Sequence, residues 1–248
     1  MLEYAAITDL GICQKNDDRI MIDGSILSFG KTSGKVDGCI LAVVCDGVGG
    51  YSYGDEAAEC TVKVFANLVG QQINQAAIEQ AIADANSVVI AAQSSDNSHR
   101  NMSSTLAGIY LYDNSFLAFN IGDSKIFRLR NSYLSQLSVD HTYAQESVDL
   151  GLVRNKMDIA QKDRHRITRC IGDKSNCKPS ITSGEGRLFE DDIFLVCSDG
   201  VTDVVDNDLI ETILSEQVGL QMRCEHLFQQ TLQNGSQDNI SIILLEVL

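Results

Sequence analysis

Three aspartates stand at the ends of apolar runs: Asp46 in Cys45-Asp46-Gly47-Val48-Gly49-Gly50, Asp199 in Cys197-Ser198-Asp199-Gly200, and Asp238 in Gly235-Ser236-Gln237-Asp238-Asn239. An acid at a strand end, beside a residue that lets the chain turn sharply, puts its carboxylate at the rim of a sheet with room for something to come close. Two further sites share the pattern. Asp17-Asp18 precedes a strand-like run, and Asp123 sits in Asn120-Ile121-Gly122-Asp123-Ser124. Any one alone reads as a turn residue, but five strand-end acid sites are hard to explain as turns. Clustered carboxylates repel one another unless a cation holds them. Ligands that are all oxygen point to Mg²⁺ or Mn²⁺ rather than zinc.

The runs that carry these acids have a clear order. Strand-like segments at Tyr4 to Thr8, Arg19 to Ile22 and Cys39 to Val44 come first. A helix is expected over Asp55 to Val69, with Ala58, Val62, Phe65 and Val69 on one face. A second is expected over Gln75 to Gln93, with Ile78, Ala81, Ile82, Ala85 and Val89 on one face and Asn74 as N-cap. Ser94 to Asn101 reads as a loop. Strands resume at Ser104 to Tyr112, Phe116 to Ile121 and Lys125 to Arg130, running on to Leu134. Residues 141–186 are irregular and hold the only proline, Pro179. So long an irregular stretch inside a compact domain reads as a functional loop or lid. A strand at Ile193 to Val196, helices at Asn207 to Glu216 and Gln221 to Gln233, and a last strand from Ile240 to Leu245 complete the chain. Strands joined by short turns imply antiparallel pairing, and two helix pairs imply cover on more than one face. The expected fold is α+β, a layered sandwich forming a single domain over residues 1–248.

Composition narrows the classes. At 248 residues and 44% hydrophobic, the chain can bury a large core. Eight cysteines form no Cys-x-x-Cys pair, so they read as buried hydrophobes in a reducing compartment rather than disulfides or a zinc site. No apolar run approaches the ~20 residues that span a bilayer. The start, Met1-Leu2-Glu3-Tyr4, lacks a basic n-region. A cytoplasmic monomer with no membrane partner is expected. A net charge of −15 argues against nucleic acid and favours a neutral or basic protein substrate over an acidic one.

Taken together, the motifs resemble those of the metal-dependent protein phosphatases of the PPM type (type 2C). The stretches that carry the resemblance run through nearly the whole chain: Thr8-Asp9-Leu10-Gly11 through Asn16-Asp17-Asp18, Val44 to Gly50 with Gly54, and Ser103-Ser104-Thr105. They continue with Asn120 to Ser124, Asp140-His141-Thr142, Ile167 to Gly172, Cys197 to Asp203 and Ser236 to Ser241. The resemblance implies a four-layer αββα sandwich, two stacked antiparallel sheets flanked by helix pairs. It implies a cleft holding two Mn²⁺ or Mg²⁺ ions, with a third possible. Asp46, Asp199 and Asp238 would be direct ligands and the catalytic set, Asp46 bridging, with the Gly47 carbonyl as a further ligand. Asp18 would hold a metal through water, and Asp123 with Asp199 the third ion. Asp17 and Asn239 would support from behind. The implied reaction is hydrolysis of phosphoserine or phosphothreonine in a protein, opposing a Ser/Thr kinase. Two cations would share a water, and the resulting hydroxide would attack phosphorus in line without a protein nucleophile. Residues 141–186 fall where the family places a flap. The alternative is an inactive family member acting as a phosphoprotein-binding regulatory module.

The chain departs from the family pattern at two points. Cys13 falls where members usually carry a phosphate-gripping arginine; Lys15 and Arg19 are the nearby substitutes. Val48 falls where many members have a histidine, which leaves His141 as a tempting but more ordinarily structural imidazole. Cys13 and Arg19 also match the Cys-x5-Arg spacing of cysteine-dependent phosphatases. The intervening Gln14-Lys15-Asn16-Asp17-Asp18 has no glycine and carries two acids, which suits that chemistry poorly.

Overall fold

The structure, a computed structural model, describes residues 1–48, 53–184 and 188–248. Gly49 and Gly50 of the glycine-rich motif, and the last two positions of the 141–186 stretch, lie outside the described residues.

The chain opens with β1 (Leu2–Asp9), β2 (Arg19–Ile22), β3 (Ser25–Leu27), β4 (Gly30–Val36) and β5 (Ile40–Cys45), followed by α1 (Gly54–Ala66) and α2 (Gln75–Ser95). Next come β6 (Leu106–Tyr112), β7 (Ser115–Ile121), β8 (Lys125–Arg130) and β9 (Tyr133–Gln136), then short helices α3 (Tyr143–Asp149) and α4 (Gln161–Arg164). β10 (Ser180–Gly184), β11 (Ile193–Cys197), α5 (Asp199–Thr202), α6 (Asn207–Leu214), α7 (Leu220–Gln233) and β12 (Ile240–Val247) complete it. Among the described residues one sheet has the order β4-β1-β12-β11-β8-β9 and the other β10-β7-β6-β5-β2-β3, each of six strands. Every pairing is antiparallel.

The side-chain period of two explains why the central strands are apolar throughout. In β5, Ile40, Ala42 and Val44 enter the core between the sheets, while Leu41, Val43 and Cys45 pack under the first helix pair with Phe65, Ile78 and Val89. In β11, Phe194 and Val196 face the other sheet, while Ile193, Leu195 and Cys197 pack with Ile210 and Leu227 of the second helix pair. Three apolar layers therefore hold four structural ones, the expected αββα sandwich.

The local expectations hold closely at α2. Asn74 caps it by accepting from Ala77 N–H (2.9 Å), and the five residues assigned to its inner face are its buried ones. α1 ends earlier than its apolar pattern, at Ala66, so Val69 lies beyond it. Successive i→i+3 bonds from Asn67, Leu68 and Val69 tighten that end, and Gly70 then takes a left-handed conformation (φ 82°) that lets the chain leave the helix. Residues 141–184 are more ordered than their composition suggests: they hold α3, α4 and the edge strand β10, which pairs with β7.

Candidate metal centre

Strand pairing brings the five acids together. β2 pairs β5 with Arg19 opposite Cys45, so Asp18, just before β2, and Asp46, just after β5, emerge at the same end of one sheet. β11 pairs β12 with Cys197 opposite Ile242, so Asp199 and Asp238 emerge together from the other sheet. Asp123 lies in the turn from β7 to β8, where the chain crosses between the sheets. Backbone crowding sets the loops. A Cβ on Gly47 would overlap the Gly54 carbonyl and sit 2.8 Å from Asp17 O. The glycine after Asp46 is thus required by the close approach of neighbouring backbone, in addition to any space it leaves for a ligand. Asp46 is anchored by its main chain: its N–H donates to Thr105 Oγ1 (3.1 Å), and its carbonyl accepts from Ser104 Oγ (3.0 Å) and Thr105 N–H (2.8 Å).

The cluster is electrostatically unfavourable as it stands. Asp18 is 1% exposed and Asp123 3% exposed. Burial, then the charges of Asp199 and Asp238, pushes Asp18 up to about 7 against two helpful hydroxyls from Ser241 and Ser198. Burial, then Asp199, pushes Asp123 up to about 8. Asp46 is raised well above the carboxylate range by burial and by Asp18, Asp199, Asp123 and Asp238. Asp199 is raised by burial and Asp203, although a bond to Asp46 works the other way. Asp238 is raised by burial and Asp199. One carboxylate oxygen each of Asp18, Asp123 and Asp199 is buried with no hydrogen-bond partner among the described residues. Such oxygens are costly unless something positive meets them.

These residues fit divalent cations. The donors are all oxygen, they repel one another, and three have a buried oxygen that no hydrogen bond answers among the described residues. Among the described residues no three His, Cys, Asp or Glu side chains already form a ready cage for a single ion.

Beside the cluster lies a cleft of about 840 Å³. It is lined by Cys13, Gln14, Lys15, Asp17 and Val48 with Asp238 and Asn239, and by His165-Arg166-Ile167. The two substitutes for the expected arginine behave differently. Arg19 is 11% exposed, paired with Glu59 (2.9 Å) and Asp55 (3.5 Å), and donates to the carbonyls of Asn16 (2.9 Å) and Asp18 (2.7 Å). These contacts commit its guanidinium to holding the loop, which argues against Arg19 as the grip on a substrate phosphate. Lys15 is 56% exposed at the cleft, paired with Asp55 and, at 3.4 Å, with Asp17. Asn239 links these loops: its Nδ2 donates to Leu10 O (3.1 Å) and Lys15 O (2.9 Å), and its Oδ1 accepts from Asp17 N–H (2.8 Å). It holds Asp238 through its own backbone N–H, which donates to Oδ1 (2.8 Å), rather than through its side chain.

Contacts and local charge argue against the other two readings. His141 is buried, and its Nδ1 accepts from Gly122 N–H (3.1 Å), which leaves the ring proton on Nε2, facing Ser180 Oγ (2.9 Å). Burial and Arg169 lower it to about 4. It is a neutral structural clasp. The Cys13 thiol is raised, by burial and then Asp238, Asp17 and Asp18, which is opposite to what a cysteine nucleophile needs.

A family model described as protein phosphatase 2C matches residues 28–244, a stretch that includes Asp46, Asp123, Asp199 and Asp238. The serine/threonine protein phosphatase PstP of Mycobacterium tuberculosis is 26% identical over 252 residues, covering 100% of this chain and 45% of that protein. The chain thus spans about half the length of that relative. A putative 2C-type protein phosphatase of Streptococcus pyogenes is 29% identical over 84% of this chain and 86% of its own length. Among solved structures, the M. tuberculosis PstP/Ppp phosphatase superposes with a TM-score of 0.83 at 25% identity, covering 100% of this chain and 99% of that one. The catalytic domain of PstP in complex with two manganese ions gives a TM-score of 0.80 at 26% identity, covering 100% of both chains.

Proposed function

We propose that this chain, which belongs to the protein phosphatase 2C family, is a Mn²⁺- or Mg²⁺-dependent phosphatase of phosphoserine and phosphothreonine in proteins. The observation that carries the reading is the set of buried, mutually repelling carboxylates with unanswered oxygens at the shared end of two sheets. Asp46, Asp199 and Asp238 would hold the central ions, with the Gly47 carbonyl as a neutral donor. Asp18 would support them, and Asp123 with Asp199 would hold a third cation. When bound, such ions lower the pKa of water toward neutrality and neutralise phosphoryl charge.

The chain's own residues position and shield the reaction. Asn239 fixes the loop that carries Lys15 and Asp17, and its N–H orients Asp238. Lys15 offers a point charge to the incoming phosphate, weaker in direction than an arginine fork. Val48 contributes an apolar surface and no acid–base group. Residues 141–186 act as the flap over the cleft within one domain. The same reading makes the substrate a phosphoprotein opposed by a Ser/Thr kinase, and the enzyme a cytoplasmic monomer. Among the described residues no helix is long and apolar enough to cross a membrane. No observation favours an inactive binding module.

Hydrolysis of p-nitrophenyl phosphate and a phosphothreonine peptide, with Mn²⁺, with Mg²⁺ and in excess EDTA, tests the proposal. Turnover appears with either ion and vanishes with chelator. Asp46→Asn loses activity by several orders of magnitude and loses Mn²⁺ binding by calorimetry. Full turnover in EDTA overturns the reading.

A further inference from the structure

Whole-chain charge points to a neutral or basic substrate, but the charge is unevenly placed. Residues 150–178 hold eight of the 19 Lys and Arg and three of the 34 Asp and Glu, a balance of +5 in a chain of −15 that leaves −20 elsewhere. This segment lines the cleft through His165 and Arg166. Arg166 is 58% exposed and weakly engaged: its guanidinium lies 4.4 Å over the Tyr143 ring and 3.9 Å from Asp163. A stacked guanidinium keeps its donors free at the ring edge for a carboxylate. His165 lies 3.5 Å from Asp203, and Lys162 makes no ion pair among the described residues. Lys156 and Arg169, by contrast, are committed to Asp140 (2.8 Å) and Glu146 (3.2 Å).

We infer that Arg166 is a specificity-determining residue, and that with the net positive charge of its segment it selects phosphopeptides carrying acidic residues beside the phosphorylated one. This rests on the phosphatase reading above and names the substrate class for the same cleft. The segment's +5 stands against a net −20 in the rest of the chain, part of which is the buried carboxylate cluster, so the field steers an acidic flank to the Arg166 side. The guanidinium can then make a bidentate bond to a flanking carboxylate. Asp163 and Asp203 compete with a peptide carboxylate here from 3.5 Å or beyond, and Asp17 and Asp238 line the same cleft.

The test compares two phosphothreonine peptides that differ only in flanking Glu or Lys, with p-nitrophenyl phosphate as the flank-free substrate. The Mn²⁺-loaded protein prefers the Glu peptide by about tenfold in kcat/KM, mostly through KM, and the preference shrinks at high salt. Arg166→Gln loses most of the preference, with a loss on the Glu peptide about fivefold greater than on p-nitrophenyl phosphate. Arg166→Lys restores part of it. Binding of phosphonate analogues of both peptides, read by fluorescence anisotropy, reports the same ratio without turnover. Equal affinity for the two peptides, or a preference untouched in Arg166→Gln, overturns the inference. Absence of turnover on every substrate overturns the phosphatase reading instead, and the anisotropy ratio still decides this one.

Discussion

Gly200 and Asn239 press the loops of Asp199 and Asp238 into backbone contact. A Cβ on Gly200 would overlap the Asn239 carbonyl oxygen, lie 3.1 Å from its carbonyl carbon and lie 3.5 Å from Asp238 Cβ. Ser236 Oγ reinforces the contact by donating to Gly200 O (2.7 Å). Gly200→Ala therefore separates two carboxylates without removing either. Mn²⁺ affinity by calorimetry is expected to fall about tenfold or more, the melting temperature by several degrees. Unchanged Mn²⁺ binding in this variant would show that the two loops need not touch.

Metal-free stability follows from the cluster. Burial holds Asp18 at about 7 and Asp123 at about 8 in the folded chain, above the ordinary carboxylate value of roughly 4 that the unfolded chain has. A raised folded pKa stabilises fully below the unfolded value, and that stability is lost as pH rises through the folded one. EDTA-treated protein therefore loses melting temperature from about pH 5 to pH 8, and Mn²⁺ restores it most at the alkaline end. Asp18→Asn flattens the metal-free curve. A metal-free melting temperature that climbs from pH 6 to pH 8 contradicts the account.

Lys15, Arg19 and Cys13 separate by experiment because they separate in space. Arg19→Ala breaks two ion pairs and two loop hydrogen bonds, so it lowers stability by about 2 kcal/mol or more. Lys15→Ala raises KM for p-nitrophenyl phosphate several-fold with little change in melting. Cys13→Arg supplies a fork at the cleft and lowers KM by about tenfold, with kcat changed less. If Arg19→Ala raises KM with no loss of stability, the assignment of Arg19 to the scaffold is wrong.

His141 remains neutral in the folded protein. Its pKa of about 4 lies below the unfolded value, so its contribution is complete above about pH 6.5 and is lost as pH falls toward 4. Its ring resonances should not titrate between pH 5.5 and 8. His141→Ala frees Gly122 N–H and Ser180 Oγ and lowers stability, while the pH–rate profile keeps its shape. A limb of that profile lost in the variant would return His141 to the chemistry.

Where a stretch of sequence satisfies itself locally, the sequence was enough. The inner face of α2, its Asn74 cap and the unbroken apolar run of β5 follow from period and capping alone. So does the placement of the five acids at strand ends. β4 was missed because Gly30–Val36 has no apolar face: its alternation is of half-buried and exposed residues, and pairing with β1 makes it a strand. The order within residues 141–184 was missed because α3 and α4 are too short to show a period, and β10 depends on β7.

What only the tertiary structure decided is partnership. Arg19 reads as a free cation until Asp55 and Glu59, which follow in α1, reach it. His141 reads as a possible acid until Gly122 and Ser180 close on both nitrogens. The composition of residues 150–178 is visible in the sequence, but its place at the cleft that Lys15 also lines is not. The sequence determined which residues can bear charge at the ends of strands. Stacking of the two sheets determined which charges face one another, because electrostatic energies depend on separation in space and on burial, and neither is a function of distance along the chain.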